Sequence, residues 1–291
     1  MTQNKHLNHP EDEILTGNLS VLDCIYAKDS KLSLKIDGSP AIVWGTDPAT
    51  GTFFVGTKSV FNKKKIMIAH SHEEIDALYE NETVAHILHT CFKFLPRTDR
   101  IIQGDFIGFG GWESFTPNTL TYKFAEDIVE MIVIAPHTEY VTDCHLRDAE
   151  VISYDDELVS TDDCKFFHAI VDRKRTSDTV PDINWDDFQW LNKKQAADAC
   201  KTINRRIADG LELTDEFLCD LLGHQLANLY LLVIDIKEYL MSNLIVYSEA
   251  QAYYDGEKTD HEGYVISNEF GMIKLVDRPT FAARNFNRVR G

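Results

Sequence analysis

The pattern of apolar and polar positions divides the chain into strand-like and helix-like stretches. Apolar residues alternate from Leu32 to Ile36 and run together over residues 41–44, and a turn sequence at 47–51 leads into Thr52–Val55. Alternation and short apolar runs bounded by turns are typical of β-strands. We therefore predict strands over residues 18–60, including a β-hairpin that follows Lys35 directly.

Helical spacing begins after this hairpin. Ser71 and Glu74 have the spacing of a capping box, and one apolar face runs through residues 82–94 until Pro96. The rest of the chain predicts strands at 100–109, 119–125, 128–135, 149–154 and 165–171, helices at 185–208, 214–230 and 231–250, and closing strands at 263–267 and 272–276. This order predicts a β-rich α+β protein with a helical insertion or subdomain at about 185–250.

Composition and charge narrow the classes of protein. The chain has 291 residues, 44% of them hydrophobic, which is enough for a sizeable core. Its formal net charge of −18 disfavours a general nucleic-acid clamp, since phosphate contacts depend on Lys and Arg. Local basic patches are still present, and they comprise Lys58, Lys63, Lys64 and Lys65 in one segment and Arg278, Arg284, Arg288 and Arg290 near the end of the sequence.

The expected location is intracellular. Six scattered cysteines without a C-x-x-C pair favour reduced thiols over a disulfide scaffold. Residues 1–15 are polar and acidic, without the apolar core of a signal peptide. The apolar stretch 226–244 contains Asp235, Lys237 and Glu238, which favours a soluble helix over a membrane span.

The most informative motif is Lys35-Ile36-Asp37-Gly38. A lysine, a spacer, an acid and then glycine at the end of a strand is the form of a covalent lysine nucleophile, and glycine permits close approach of the backbone. The same string also fits a strand that ends in an Asp-Gly turn with an exposed lysine. The tetrapeptide alone does not choose between the two interpretations.

Three further charged residues lie within or directly beside apolar strands. Asp105 lies in mid-strand, Glu262 opens a strand, and Lys274 lies between apolar neighbours. Each has a structural alternative, which is an edge-strand acid facing water, a loop acid and a snorkelling lysine, respectively. A buried acid needs a partner, and a lysine within a strand has to place its ammonium group near polar atoms such as a phosphate.

Taken in order, these motifs resemble the covalent nucleotidyltransferase superfamily, and phage-type ATP-dependent RNA ligases in particular. The matching strings are Lys35-Ile36-Asp37-Gly38, Gly104-Asp105-Phe106-Ile107-Gly108, Glu262-Gly263-Tyr264-Val265 and Ile273-Lys274. The resemblance departs from the family pattern at Val276, where a second lysine is usual, and at Asp105, where glutamate is common. The positive charge of that second lysine is either absent from this chain or supplied by Arg278.

The resemblance implies a fold, α+β with an antiparallel-sheet nucleotidyltransferase (ATP-grasp-like ligase) domain and a helical insertion or subdomain. The implied domain organisation is 1–180 for the first part of that domain, 181–252 for the helical subdomain and 253–291 for the closing strands. In this interpretation the string Ile132–His137 corresponds to an intermediate strand motif of the family.

The resemblance also implies a chemistry in three steps. Lys35 attacks the α-phosphate of ATP and becomes a lysyl-AMP, AMP passes to a 5′-phosphate end, and a 3′-hydroxyl then displaces AMP to seal the strands. Lys274 assists in catalysis, and the nucleotide is held by the set Lys35, Asp37, Gly38, Lys58, Asp105, Glu262, Lys274 and Arg278. Asp105 and Glu262 are the expected ligands of Mg²⁺ or Mn²⁺, because oxygen donors favour these ions over zinc.

Other interpretations stay open. A small DNA ligase or end-adenylating enzyme uses the same chemistry, and a catalytically impaired relative binds nucleotide or nucleic acid without it. The expected partners are nucleic-acid ends, RNA rather than DNA, with no membrane and a monomeric state. The expected location is the cytoplasm, including that of a host if the protein is phage-encoded. His86, His89 and Cys91 are close in sequence, but no second cluster completes four ligands, which favours packing over a metal site.

Overall fold

A computed structural model of the chain describes residues 8–152, 154, 158–174, 185 and 188–282. The helices are α1 Pro10–Glu13, α2 Ser20–Tyr26, α3 His72–Leu78, α4 Glu82–Phe94, α5 Lys193–Ala208, α6 Asp215–Leu222 and α7 His224–Ser242, and residues 278–282 are also helical. The described strands are β1 Lys31–Lys35, β2 Ala41–Thr46, β3 Phe53–Gly56, β4 Ile101–Phe109, β5 Ser114–Phe115, β6 Thr121–Phe124, β7 Ile132–Val141, β8 Glu150–Ile152, β9 Cys164–Phe166, β10 Ala169–Arg173, β11 Leu244–Ser248, β12 Ala250–Tyr254, β13 Glu257–Thr259, β14 Gly263–Asn268 and β15 Gly271–Val276.

The chain divides into two units, and it passes from one to the other between Lys35 and Ile36. The described part of the first unit lies within residues 36–169 and 248–260. The described part of the second unit lies within residues 8–35, 170–247 and 261–282. The motif Lys-x-Asp-Gly is therefore shared between the two units.

The first unit contains two sheets. One has the strand order β3-β2-β4-β7-β8, with β9 pairing parallel to β7, and the other has the order β13-β12-β6-β5. Helices α3 and α4 pack on the larger sheet, because α4 turns Ala85, Ile87, Leu88 and Cys91 inward against apolar strand residues such as Trp44. Both motif segments of this unit, residues 37–38 and β4, belong to or adjoin that sheet.

The second unit contains a five-stranded sheet of order β11-β10-β1-β14-β15 and the helices α1, α2, α5, α6 and α7. Helices α5 to α7 share a core with Leu15, in which Ile203, Leu218 and Tyr230 are fully buried. Strands β1, β14 and β15 pair antiparallel, although β1 precedes β14 by more than two hundred residues. This pairing brings Lys35, Lys274 and the glycine that follows Glu262 into one sheet.

The predicted α+β class with antiparallel sheets is confirmed. The hairpin of β2 and β3, helix α4, strand β4 and the closing strands β14 and β15 form where the sequence predicts them. Ser71 caps α3 by accepting a hydrogen bond from the amide of Glu74, as predicted. The predicted domain boundaries at 181 and 252 stay a prediction, and α5, α6 and α7 lie within them.

Several predicted elements were wrong. Residues 20–26 form helix α2 and not a strand, because Val21, Leu22, Cys24 and Ile25 make a helical stripe that is buried. The predicted strand at 128–135 begins only at Ile132, and the predicted strand at 165–171 is two strands, β9 and β10.

The predicted helix at 185–208 begins only at Lys193, where Asn192 forms a capping box with Gln195. The break between α6 and α7 falls at Gly223, whose φ of 80° favours glycine, and not at residue 230. The last predicted helix ends at Ser242, and the chain continues as strand β11.

Candidate functional site around Lys35

Lys35 is the last residue of β1, and its ammonium group pairs with Glu262. The Lys35 Nζ donates a hydrogen bond to Glu262 Oε2 across 227 positions of sequence. Antiparallel register explains the meeting, since Lys35 pairs with Gly263 and Glu262 is the residue before it. The two side chains are 31% and 18% exposed, so the pair is partly open to solvent.

Gly263 makes the close approach of these strands possible. A β-carbon at this position would lie 2.1 Å from the carbonyl oxygen of Leu275. Any side chain would therefore push β15 away from β14. The glycine of the Glu-Gly-Tyr-Val string is required by the sheet itself, whatever the chemistry beside it.

Lys274 lies on the same face of the sheet as Lys35. Val265 pairs with Lys274 on one side and with Ser33 on the other, and Ser33 is two residues before Lys35 in β1. Side chains two residues apart on a strand, and those of directly paired residues, point to the same face. The opposite face carries Leu34, Ile266, Ile273 and Leu275, which are buried.

Neighbouring charges add to the effect of burial on Lys274. Burial is the main cause that lowers the pKa of Lys274, and the positive charge of Lys35 lowers it further, while Glu262 opposes the shift. Two lysine ammonium groups on one face of a sheet make a local positive region that attracts an anionic group. Lys35, Glu262 and Lys274 thus form one cluster within the second unit.

Val276 occupies the same row of the sheet as Lys35, with Gly263 between them. It is 5% exposed, so the position at which the RNA ligase pattern has a second lysine is a buried apolar contact here.

Arg278 lies two residues beyond Val276 in a different environment. Its Nη1 donates to Asp12 Oδ1 at 2.9 Å and to the hydroxyl of Tyr230 at 3.0 Å, and its Nη2 donates to Asn204 Oδ1. The same Nη1 lies 3.3 Å from Glu11 Oε1. With 7% of the residue exposed, Arg278 is a buried member of an ion network, and its role as a substitute phosphate ligand stays a prediction.

His9 is a member of this region that the sequence interpretation missed. Its pKa is far below the usual range, first because of burial and then because of the positive charges of Arg278, Lys274, Lys237 and Lys35. The backbone carbonyl of the preceding Asn8 accepts a hydrogen bond from the amide of Lys274 at 3.3 Å. His9 therefore presents a neutral imidazole beside the cluster, and its Nδ1 is buried without a hydrogen-bond partner among the described residues.

A sequence signal for this segment exists. His9 precedes Pro10 and three acidic residues, and proline followed by acids is typical of the first turn of a helix. Helix α1 begins at this proline, in a segment for which the sequence analysis predicted no element.

The motif residues of the first unit lie around Asp105. Gly38 is in contact with this residue, since a β-carbon on Gly38 would lie 2.7 Å from the β-carbon of Asp105. Asp105 Oδ1 lies 3.6 Å from His137 Nε2, and the two side chains are 20% and 37% exposed. His137 ends the string Ile132–His137 of the sequence analysis and contributes a ring nitrogen that we had not assigned.

Asp37 orders a neighbouring loop of the first unit. Its carboxylate accepts hydrogen bonds from Asn118 Nδ2 at 2.7 Å and from the amide of Thr119 at 3.0 Å, and its amide donates to the hydroxyl of Tyr122 at 2.6 Å. Its role is therefore to hold backbone in place.

The structure describes all four lysines of the first basic patch but only Arg278 of the second. Lys58 begins a short 3₁₀ helix, Lys58–Phe61, and Lys63 to Lys65 lie in the loop that follows it, and all four lysines are exposed. Arg284, Arg288 and Arg290 lie outside the described residues.

The Mg²⁺ or Mn²⁺ that the resemblance implies does not require a cluster of protein ligands. Mg²⁺ is commonly held by one or two carboxylates together with substrate phosphates. Asp105 and Glu262 are such oxygen donors, each partly exposed. No group of three or more His, Cys, Asp or Glu in the described part of the chain could hold an ion by itself.

A family model described as a family of unknown function (DUF6267) matches residues 4–222 and 222–290, and the chain belongs to this family. No curated protein and no solved structure gave a match. No helix in the described part of the chain is long and apolar enough to cross a membrane.

Proposed function

We propose that this member of the DUF6267 family is an ATP-dependent covalent nucleotidyltransferase of the RNA ligase type, in which Lys35 receives AMP. The observation that supports the proposal best is the Lys35–Glu262 pair on the sheet face that also carries Lys274. A proton acceptor and a second cation then flank a partly exposed lysine. The antiparallel sheets are compatible with a nucleotidyltransferase domain, which we propose together with the activity.

Glu262 gives the lysine a route for its proton. The carboxylate already accepts a hydrogen bond from Lys35 Nζ, so it can take the proton as the amine attacks. The nitrogen–phosphorus bond to the α-phosphate forms, the bond from that phosphorus to the β-phosphate oxygen breaks, and pyrophosphate leaves. The products are lysyl-AMP and pyrophosphate.

Lys274 supplies positive charge where negative charge accumulates. In phosphoryl transfer most of the catalysis comes from positioning and from cations at the equatorial oxygens. Its position one row from Lys35 on the same face suits contact with the same phosphate. When bound, Mg²⁺ or Mn²⁺ would add to the neutralisation of the phosphates, and the oxygen donors that the resemblance implies are Asp105 in the first unit and Glu262 in the second.

The later steps place AMP on a 5′-phosphate end and join this end to a 3′-hydroxyl. The preference for RNA over DNA ends comes from the resemblance of the motifs to RNA ligases. The exposed lysines at 58 and 63–65 support contact with a phosphate backbone, because they are a local basic segment in a chain of net charge −18. The monomeric state and cytoplasmic location stay predictions.

The test is covalent labelling of the full-length protein. Incubation with ATP and Mg²⁺, followed by intact-mass measurement, is expected to show the mass of one added adenylyl group. Lys35→Ala should lack this species, whereas Lys31→Ala, on the same strand, should keep it. Labelling that persists in Lys35→Ala would sink the proposal. A panel of 5′-phosphorylated RNA and nicked DNA then distinguishes RNA ligation from DNA ligation.

Val276 favours a second candidate function, a nucleotide-binding protein without transfer chemistry. A buried valine stands where the related enzymes have a lysine. Equilibrium dialysis with ATP, together with the mass measurement, separates the two functions. Binding without an adduct supports the second candidate.

A further inference from the structure

His72 and His89 face each other across the first two helices of the first unit, α3 and α4. Their Nδ1 atoms are 2.7 Å apart, and the ring centroids are 4.9 Å apart with an angle of 27° between the planes. Because the centroids are farther apart than the nitrogens, the two Nδ1 atoms lie between the ring centres. Two nitrogen lone pairs at this distance require either one proton or one cation between them.

Asp76 fixes the orientation of His89. The His89 Nε2 lies 2.8 Å from Asp76 Oδ1, and an ionised carboxylate only accepts hydrogen bonds. The proton of neutral His89 is therefore on Nε2, and its Nδ1 keeps the lone pair that points to His72. A carboxylate on the far nitrogen is the usual partner of a metal-binding histidine.

The second ring is held by an aromatic contact. His72 meets the ring of Phe92 edge to face, with centroids 5.1 Å apart and an angle of 74°. His72 is exposed and the side chain of His89 is 27% exposed, so an ion from solvent can reach the two nitrogens. Both rings are thus oriented before any ligand arrives.

We propose that the Nδ1 atoms of His72 and His89 form a binding site for a divalent transition-metal ion of the class that prefers imidazole, namely Cu²⁺, Ni²⁺ or Zn²⁺. Metal–nitrogen bonds of about 2.1 Å in a tetrahedral arrangement place the nitrogens about 3.4 Å apart. The two nitrogens need to separate by about 0.7 Å from the observed distance to admit such an ion. The ion replaces the proton between the nitrogens, and His72 then carries its own proton on Nε2.

The site is open to exchange. In the described part of the chain, no third His, Cys, Asp or Glu joins the pair in a group that could hold an ion. Water or an external ligand therefore completes the coordination. All residues of the site belong to the first unit, and the proposal is independent of the chemistry assigned to Lys35.

Copper titration of the metal-free, full-length protein tests the site, with electron paramagnetic resonance as the readout. The first equivalent of Cu²⁺ is expected to show coupling to imidazole nitrogens. His72→Ala and His89→Ala should each weaken this binding at least tenfold. His86→Ala is the matched control, because His86 lies on the same helix but contacts Phe109 instead, and it should leave the binding unchanged.

Asp76→Asn provides a second measurement, with an expected loss of about tenfold in affinity. Equal first-equivalent binding in the wild type, His72→Ala and His89→Ala would overturn the proposal, and so would a wild type that shows no nitrogen-coordinated copper. If His89→Ala does not fold, the exposed His72→Ala variant decides the question alone. If His72 and His89 share only a hydrogen bond and bind no ion, the wild type and both variants will bind the first equivalent equally, and the proposal is overturned.

Discussion

The second unit contains two groups of charged side chains that differ in exposure. In the Lys35–Glu262 pair the side chains are 31% and 18% exposed, and a second lysine lies on the same sheet face. In the buried network, Lys237 and Glu11 are 4% and 1% exposed and their ion pair is 2.6 Å long. Arg278 Nη1 and Asp12 Oδ1, which are 2.9 Å apart, also belong to this network.

The difference teaches how to separate reactive from structural charges. In the buried network Arg278, Glu11 and Asp12 each have at least two protein partners and Lys237 is paired with Glu11, so the loss of one charge affects folding first. The Lys35–Glu262 pair is accessible, and exposed pairs contribute little to stability. The same residue types therefore stabilise the fold in the buried network, whereas at Lys35 we propose that they serve chemistry.

The largest expected effect comes from Lys35→Arg. Arginine keeps the positive charge opposite Glu262 but does not act as an amine nucleophile, because it is always protonated. We expect complete loss of the AMP adduct and a change of less than about 1 kcal/mol in the free energy of unfolding. Intact-mass measurement and urea unfolding report the two effects. A large loss of stability would place Lys35 with the structural charges.

Lys237→Ala should show the reverse. It removes the cation bonded to Glu11, which is fully buried, and leaves two carboxylates facing Arg278 alone. We expect a loss of about 3–5 kcal/mol in the free energy of unfolding. The exposed Lys201→Ala in α5 is the control. If both variants are equally stable, the buried network does not stabilise the fold.

Lys274→Met should affect transfer more than folding. Loss of one charge-stabilising group typically lowers the rate about 10²- to 10³-fold. We expect adenylylation to fall by this factor, measured by mass spectrometry over time. Lys274→Arg keeps the charge and should retain most of the rate. Equal rates in Lys274→Met and the wild type would remove Lys274 from the catalytic cluster.

The smallest expected effect concerns His9 and pH. Burial and the nearby cations keep folded His9 neutral, whereas a histidine in the unfolded chain titrates near pH 6.5. Below this pH only the unfolded state takes up the proton. Stability of the wild type should therefore fall relative to His9→Gln as the pH falls from 6.5, by at most about 1.4 kcal/mol per pH unit.

Urea unfolding of both proteins between pH 5 and 8 measures this difference. His224→Gln, at an exposed histidine at the start of α7, is the matched control. A constant difference between the wild type and His9→Gln across this range would contradict a neutral folded His9, because it would mean that the folded and unfolded states take up the His9 proton equally.

Local patterns in the sequence predict much of the fold. Helix α4 and strands β4, β14 and β15 follow from periodicity that is visible within about ten residues. Helix α2 was predicted as a strand because Val21 is β-branched and Leu22 is apolar. A short run of such residues does not distinguish a strand from a helix.

The candidate site depended on pairings that local patterns do not contain. The sequence indicated Lys35, Glu262 and Lys274 as separate charges, but only the register of β1, β14 and β15 places them on one face. The burial of Lys237 depends on Glu11, 226 positions away in sequence. His9 and His137 were missed for the same reason, since a histidine gains its role from neighbours that are distant in sequence.

Mapping of the adduct by peptide mass spectrometry tests the role of Lys35 most directly. After incubation with ATP and Mg²⁺ and digestion at neutral pH, we expect one adenylylated peptide with the modification on the side chain of Lys35. An adduct on any other residue, or a protein that binds ATP and remains unmodified, would contradict Lys35 as the nucleophile.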